Sequence, residues 1–176
     1  MLRLVCLCMA TLPFSAVSGE PIAGEYEVKA TFLYNFTKFT DWPDGAFDSA
    51  ASPIVIGIVG EDPFGTTVDD LIRGEIVHDR RLEVRRLQRG DNLRGCHLLF
   101  ISHSEREHIP GILKQLKGSP VLTVSEFAGF AEQGGMVSLL VQNKSLKIEI
   151  NQKAAEQVGI HISAKLLRLA RLVETQ

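Results

Sequence analysis

The sequence has little cysteine, few aromatic residues and no long apolar run. Only three of its 176 residues are cysteine, and 7% are aromatic. No uncharged apolar stretch approaches the roughly 20 residues that a membrane-spanning helix needs. Positive charge is not in excess, because 19 Lys and Arg stand against 21 Asp and Glu. Composition therefore disfavours a membrane span, a disulfide-rich scaffold and a nucleic-acid binder that acts through bulk charge.

Apolar residues are plentiful in comparison. They make up 45% of the chain, whereas 23% of residues are charged. This balance allows a buried core and disfavours disorder. The length fits a single domain.

The first 18 residues have the pattern of a secretory signal peptide. Arg3 precedes an apolar run over residues 4–16, and Ala16 and Ser18 place small side chains at a cleavage site. We expect removal of residues 1–18, which leaves residues 19–176 as one domain. The alternative is a short membrane anchor, which the length of the run disfavours. Cleavage would remove Arg3 and two cysteines, so the net charge becomes −3 and Cys96 stays without an internal partner.

A helix is predicted over residues 25–42, with an apolar stripe of Val28, Phe32, Phe36 and Phe39. Beyond it, β-branched runs alternate with helical patterns and turn residues. The predicted strands cover residues 53–60, 81–87, 96–101 and 121–124, followed by a hairpin of 136–141 and 146–150. The other predicted helices cover residues 64–73, 109–116, 126–132, 152–158 and 163–173.

This order of elements predicts an α/β fold. Alternation of strands and helices implies a mostly parallel sheet with right-handed crossovers. We expect a three-layer α/β/α Rossmann-like sandwich with a C-terminal antiparallel hairpin.

Residue patterns that carry chemistry are weak. The loop over residues 60–67 resembles a phosphate loop in position, but Thr66 stands where a lysine is needed and Glu61 and Asp62 would repel phosphate. His103 and His108 lie five residues apart, which turns their rings about 140° apart on a helix. We expect no metal, no cofactor and no catalytic group.

The first and last predicted helices carry more apolar residues than a single core-facing stripe accounts for. Such a surplus is buried on a second side or forms a contact surface. Tyr34, Trp42 and Phe64 are candidates for a ligand crevice or a dimer contact. In a doubly wound sheet that crevice would lie near residues 60–66 and 102–105.

Several segments together resemble the YfiR family of periplasmic regulators. The resemblance covers residues 26–172, and the order and spacing of its segments carry it. The segments are residues 34–43, 54–60 with 62–64, 96–101, 122–125, 130 with 134–136, 148–151 with 154–155, and 163–170.

The resemblance implies a non-enzymatic repressor in the periplasm. Such a protein binds the periplasmic sensor domain of an inner-membrane diguanylate cyclase of the YfiN type, which lowers cyclic-di-GMP and restrains biofilm formation. It also implies a homodimer, with no nucleic acid bound and no insertion into the membrane. The partner surface carried over by resemblance consists of Glu149, Ile150, Asn151, Lys165, Leu166 and Leu169.

The chain departs from the family in its cysteines. Relatives often pair a first-strand cysteine with the one at Cys96, but the first-strand position here is Gly57. Some relatives carry a second pair, where this chain has Ala131 and Ser138. Redox control is therefore doubtful, and Cys96 is interpreted as a small buried apolar residue or, if exposed, as the site of an intermolecular disulfide.

Two other functions stay open from the sequence. One is a periplasmic small-molecule-binding module that acts on another membrane sensor, such as a histidine kinase. The other is a hydrolase whose active-site residues are far apart in the chain.

Overall fold

The computed structural model describes residues 24–143 and 145–175. The expected signal peptide lies outside them. In this part of the chain the helices are α1 (Glu25–Lys38), α2 (Thr67–Ile72), α3 (Ile109–Leu116), α4 (Gln152–Glu156) and α5 (Ala164–Leu167). The strands are β1 (Thr40–Asp41), β2 (Ile54–Val59), β3 (Ile76–Val77), β4 (Arg80–Leu87), β5 (Leu98–Ile101), β6 (Leu122–Ser125), β7 (Val137–Gln142), β8 (Ser145–Ile150), β9 (His161–Ile162) and β10 (Arg171–Leu172). Among the described helices, none combines the length and apolar content that crossing a bilayer requires.

Eight of the described strands form one open, curled sheet in the order β10-β8-β7-β6-β5-β2-β4-β3. Strands β4, β2, β5, β6 and β7 run parallel. Strand β3 pairs antiparallel with β4, and β8 pairs antiparallel with β7 and parallel with β10. The mixed α/β prediction and the C-terminal hairpin are confirmed. The finer expectation of a three-layer Rossmann-like sandwich stays a prediction.

Strand β2, which lies between β5 and β4, is buried along its whole length. Ile56 and Ile58 belong to the core that includes α1, and Val55 and Val59 belong to the core that includes α3. A strand that is covered on both faces needs no polar alternation, which explains its continuous β-branched run.

The predicted apolar stripe of α1 is only partly right in its phase. Phe36 is buried as predicted, and Phe32 and Phe39 are partly buried against the core. Val28 is 46% exposed, and the face that meets the sheet carries Ala30, Leu33 and Phe36. The helix also ends at Lys38, because the chain turns into the short strand β1.

An ion cluster at the start of α1 accounts for that phase. The Lys29 side chain is buried and contacts the carboxylates of Glu25 and Glu126, the latter at 2.5 Å. Burial, together with the Glu126 and Glu25 charges, raises the pKa of Tyr26 to about 12. Glu126 directly follows β6, so the cluster fixes the rotation of α1 against the sheet.

The predicted helix over residues 163–173 is also wrong. Only α5 is helical, and its single turn lies between β9 and β10. The Ser163 amide donates to the Phe39 carbonyl at 2.9 Å, and the Val173 amide donates to the Ile150 carbonyl at 3.0 Å. Pairing with distant strands therefore overrides the local helical pattern.

Candidate partner-binding site

The candidate site lies at the edge of the sheet where β10 covers the end of β8. Glu149 and Ile150 close β8, and they pair with Arg171 and Leu172 of β10. The turn of α5 leads the chain to this position. Leu169 lies between α5 and β10 and is 65% exposed.

An ion pair holds β10 against β8. The Arg171 guanidinium donates to a Glu149 carboxylate oxygen at 2.6 Å through Nη2 and at 3.2 Å through Nε. It also reaches Glu132 at 3.2 Å. The hydrogen bond to Glu149 raises the pKa of Arg171. Glu149 is buried, so this contact supplies the positive charge that a buried carboxylate requires.

The buried side chain of Asn151 connects the segments around the end of β8 by hydrogen bonds. Its side-chain oxygen accepts from the Ala154 amide at 3.0 Å and so caps α4. Its amide nitrogen donates to the Ala131 carbonyl and to the Thr175 hydroxyl, both at 2.9 Å. One buried side chain thus connects α4, the segment before β7 and the C-terminal segment.

The other residues carried over by resemblance are placed differently. Ile150 and Leu166 are buried in the core, where they support the surface without forming it. Lys165 is exposed, and its ammonium lies 5.2 Å from the centre of the Phe39 ring. The structure therefore brings Glu149 and Leu169 to one place and leaves Lys165 at another.

A cleft of about 500 Å³ follows the outer side of β8. Its lining consists of Gln142, Leu146, Lys147, Ile148, Glu149, Leu169 and Arg171. Reasoning from the sequence missed Lys147 and Arg171. The alternation along β8 contains a signal for Lys147, whereas a helical reading of residues 163–173 hid Arg171.

The three candidates for a crevice or dimer contact lie apart. The Tyr34 hydroxyl contacts Glu75, beside β3. Trp42 donates from Nε1 to the His97 carbonyl at 3.0 Å, before β5 begins. Phe64 is buried, with its ring centre 4.8 Å from that of Phe100.

The crevice at the carboxyl ends of β2 and β5 is filled by the chain itself. Gly60 has a φ of +91°, and a side chain there would overlap Ser104 and Glu105. The Glu61 amide donates to the Ser104 hydroxyl at 2.9 Å. Arg86 donates to the Asp62 carboxylate at 2.9 Å, so this acid of the loop serves an internal contact.

Cys96 lies in a buried, apolar position. It is 4% exposed, and burial raises the pKa of its thiol to about 11. A Cβ placed on Gly57 would lie 2.5 Å from the Cys96 sulfur. Ala131 and Ser138 are also in contact, since the Ala131 amide donates to the Ser138 hydroxyl at 3.1 Å. The two pairs of positions for which the resemblance implies cysteine pairs are therefore adjacent in this fold.

Across the described ranges, no group of three or more His, Cys, Asp or Glu side chains is arranged to hold a metal ion.

Comparison with known proteins identifies the relatives of this fold. A family model described as DUF4154, YfiR/HmsC-like, matches residues 26–171. The crystal structure of a conserved domain protein from Vibrio cholerae O1 biovar El Tor is similar, with a TM-score of 0.54 and 14% identity. The similar region covers 84% of this chain and 59% of that one. Among curated proteins, none matches this sequence.

Proposed function

Because the chain belongs to the YfiR/HmsC-like family, we propose that it is a periplasmic regulator that binds and represses an inner-membrane diguanylate cyclase. The contact is with the periplasmic sensor domain of a YfiN-type cyclase, and it lowers cyclic-di-GMP and biofilm formation. The family match over nearly the whole described chain is the observation that carries this proposal. Regulators of cyclic-di-GMP signalling in this family act by binding and need no catalytic group.

The edge formed by β8 and β10 supports the proposal physically. It combines an exposed leucine, Leu169, with the charged residues Lys147 and Arg171 beside a cleft. A repressor needs a surface whose binding free energy favours the inactive state of its partner. A tenfold difference in affinity between the two states corresponds to about 1.4 kcal/mol. The proposed unit is a homodimer, which sedimentation of the mature chain tests.

Deletion and complementation test the proposal. Deletion of the gene should raise cytoplasmic cyclic-di-GMP, and the wild-type chain should restore it. Leu169→Asp should fail to restore it, because a charge replaces an apolar contact. Ile76→Asp is the matched control, because Ile76 is 64% exposed at the opposite edge of the sheet. Unchanged cyclic-di-GMP after deletion, with no membrane sensor captured by the tagged chain, would contradict the proposal.

A further inference from the structure

The outer edge of β8 is only partly covered. Strand β8 has six residues, but β10 pairs with Glu149 and Ile150 alone. Among the residues that the structure describes, no strand pairs with residues 145–148 on the side away from β7.

The hydrogen bonds at the end of β8 show which backbone groups face outward. The Ile150 carbonyl accepts from Val173 on the outer side, whereas the Asn151 amide donates to Met136 on the inner side. Successive residues of a strand direct their backbone groups to opposite sides. The amide and carbonyl of Leu146 and the amide of Ile148 therefore face outward, and Leu146 has no strand partner there.

The cleft includes this edge in its lining. Leu146 and Lys147 both line it, although their side chains point to opposite faces. Leu169 also lines it and is largely exposed. The volume of about 500 Å³ accommodates a few residues of extended chain.

Charge indicates what kind of strand fits. Arg171 already neutralises Glu149, whereas Lys147 is exposed and has no carboxylate within 4.0 Å in the described ranges. A second copy paired antiparallel through this edge would bring its own Lys147 close to the first. Like charges opposite each other destabilise strand pairing, which disfavours a second copy and favours an acidic strand.

We propose that the outer edge of β8 over residues 145–148 takes up an extended acidic and apolar segment of a partner as an added strand, in line with β10. The inference rests on the proposed function, in which that segment belongs to the sensor domain. Backbone hydrogen bonds to Leu146 provide the affinity, and an acid beside Lys147 with an apolar residue against Leu169 provides the specificity.

Two substitutions at one position separate backbone pairing from side-chain contact. Leu146→Pro removes the outward amide and leaves the ladder with β7, because a proline is tolerated on the open side of an edge strand. Leu146→Ala shortens the same side chain and keeps the amide. Lys147→Glu reverses the charge without changing the backbone.

The probe is a capped hexapeptide of alternating glutamate and valine, titrated into the mature chain and followed through backbone amide NMR resonances. We expect saturable shifts in β8, about tenfold weaker binding for Leu146→Pro and Lys147→Glu, and nearly unchanged binding for Leu146→Ala. Equal affinities for all four proteins, or no shift in β8, would overturn the proposal. If Leu146→Pro does not fold, the peptide affinities of Lys147→Glu and Leu146→Ala are compared instead, and equal affinities would contradict the proposal.

Sedimentation of the same variants detects the other occupant. Loss of a dimer in Leu146→Pro without a change in peptide binding would assign the edge to a second copy and overturn the proposal. The outcomes are distinguishable from those of the proposed function. If deletion changes cyclic-di-GMP but the peptide does not bind, the proposed regulatory function is supported and the edge site on β8 is contradicted. If the peptide binds but deletion does not change cyclic-di-GMP, the edge site is supported and the regulatory function is contradicted.

Discussion

The two edges of the sheet are built alike and protected differently. Each ends in a strand of two residues that covers only part of its neighbour: β3 covers two residues of β4, and β10 covers two residues of β8. Each carries a largely exposed apolar residue, Ile76 at 64% and Leu172 at 55%. Strand β3 is joined to β4 by a tight turn, whereas β10 arrives from the end of the chain and depends on side-chain contacts.

Charge marks the difference. Five of the eight residues of β4 are charged, and the guanidinium of Arg86 holds Asp62, Asp69 and the Gly65 carbonyl. By contrast, only two of the six residues of β8 are charged. Charged residues on an edge strand prevent association with other strands. The β4 edge is therefore protected from pairing by charge, whereas the β8 edge is left open to it.

The largest effect on the free energy of unfolding is expected at Asn151, whose side chain connects the segments around the end of β8. Asn151→Ala removes the cap of α4 and leaves the buried Ala131 carbonyl without its donor. We expect a loss of about 2–3 kcal/mol in the free energy of unfolding, measured by urea denaturation. Asn92→Ala is the control, because Asn92 caps an exposed turn and should cost about 0.5–1 kcal/mol. Equal losses would show that the two regions are fastened equally.

Within β2, Gly57→Cys should form a disulfide with Cys96, tested in the chain without residues 1–18 and so without Cys6 and Cys8. In the reduced protein the new side chain crowds Cys96 and Leu99, with a cost of about 2 kcal/mol. Oxidation should recover stability and leave no free thiol in a thiol titration under denaturing conditions. Gly57→Ser is crowded in the same way and keeps one free thiol. Two titratable thiols in the oxidised Gly57→Cys protein would refute the assigned pairing.

A buried histidine makes the sheet centre sensitive to pH. His97 Nδ1 accepts from the Val55 amide at 3.0 Å, Nε2 lies 3.0 Å from the Ala46 carbonyl, and the ring stacks on Phe47. Burial lowers the pKa of His97 below its ordinary value of about 6.5. The contribution of the neutral ring to the free energy of unfolding is therefore fully present above about pH 6.5 and is lost as pH falls through the lowered pKa.

Thermal unfolding between pH 8 and pH 5 measures this effect. His97→Gln should cost about 1–2 kcal/mol at pH 8 and show a flatter decline toward acid. His161→Gln, at an exposed position, should keep the wild-type profile. A decline that is equally steep in His97→Gln would assign the acid sensitivity to other groups.

Substitutions of charged residues at the β4 edge should change the free energy of unfolding only weakly. Arg86→Met breaks contacts to Asp62 and Asp69, but the Arg86 side chain is 38% exposed, so solvent screening limits the loss to about 0.5–1 kcal/mol. Added salt should reduce the difference from wild type. Arg85→Met is the control, because its single pair with Glu83 is more exposed and should contribute almost nothing. A loss from Arg86→Met above that of Asn151→Ala would invert the comparison.

The smallest effects belong to the exposed residues of the two terminal strands. Ile76→Thr and Leu172→Thr should each change the free energy of unfolding by less than about 0.5 kcal/mol, because both side chains already face solvent. Urea denaturation of the pair checks this. A larger loss for Leu172→Thr alone would show that β10 is packed more firmly than its exposure indicates.

The strands that consist of continuous apolar residues could be predicted from the sequence, because their local composition indicates burial. The runs that became β2, β5 and β6 are short and rich in apolar residues, and they are buried along their whole length, as is typical of interior parallel strands. The phase of α1 was not predictable, because it depends on the contact of Lys29 with a residue far along the chain. The stripe through Val28 and the stripe through Leu33 satisfy the same spacing.

The candidate site was predictable only in part. Resemblance indicated Glu149 and Leu169, but the partner of Glu149 is Arg171, which has the spacing of a helical residue. Whether residues 163–173 form a helix or a strand depends on the open edge of β8, which no local pattern records. Tertiary pairing therefore determined what spacing alone left ambiguous.

The Lys29 cluster also has a consequence for the order in which the protein is assembled. Lys29 and Glu126 are separated by 97 residues, so the contact between them forms only when distant parts of the chain meet. Burying the Lys29 ammonium without both carboxylates would be unfavourable. Docking of α1 with this charge fully matched therefore requires the chain as far as Glu126 to be in place.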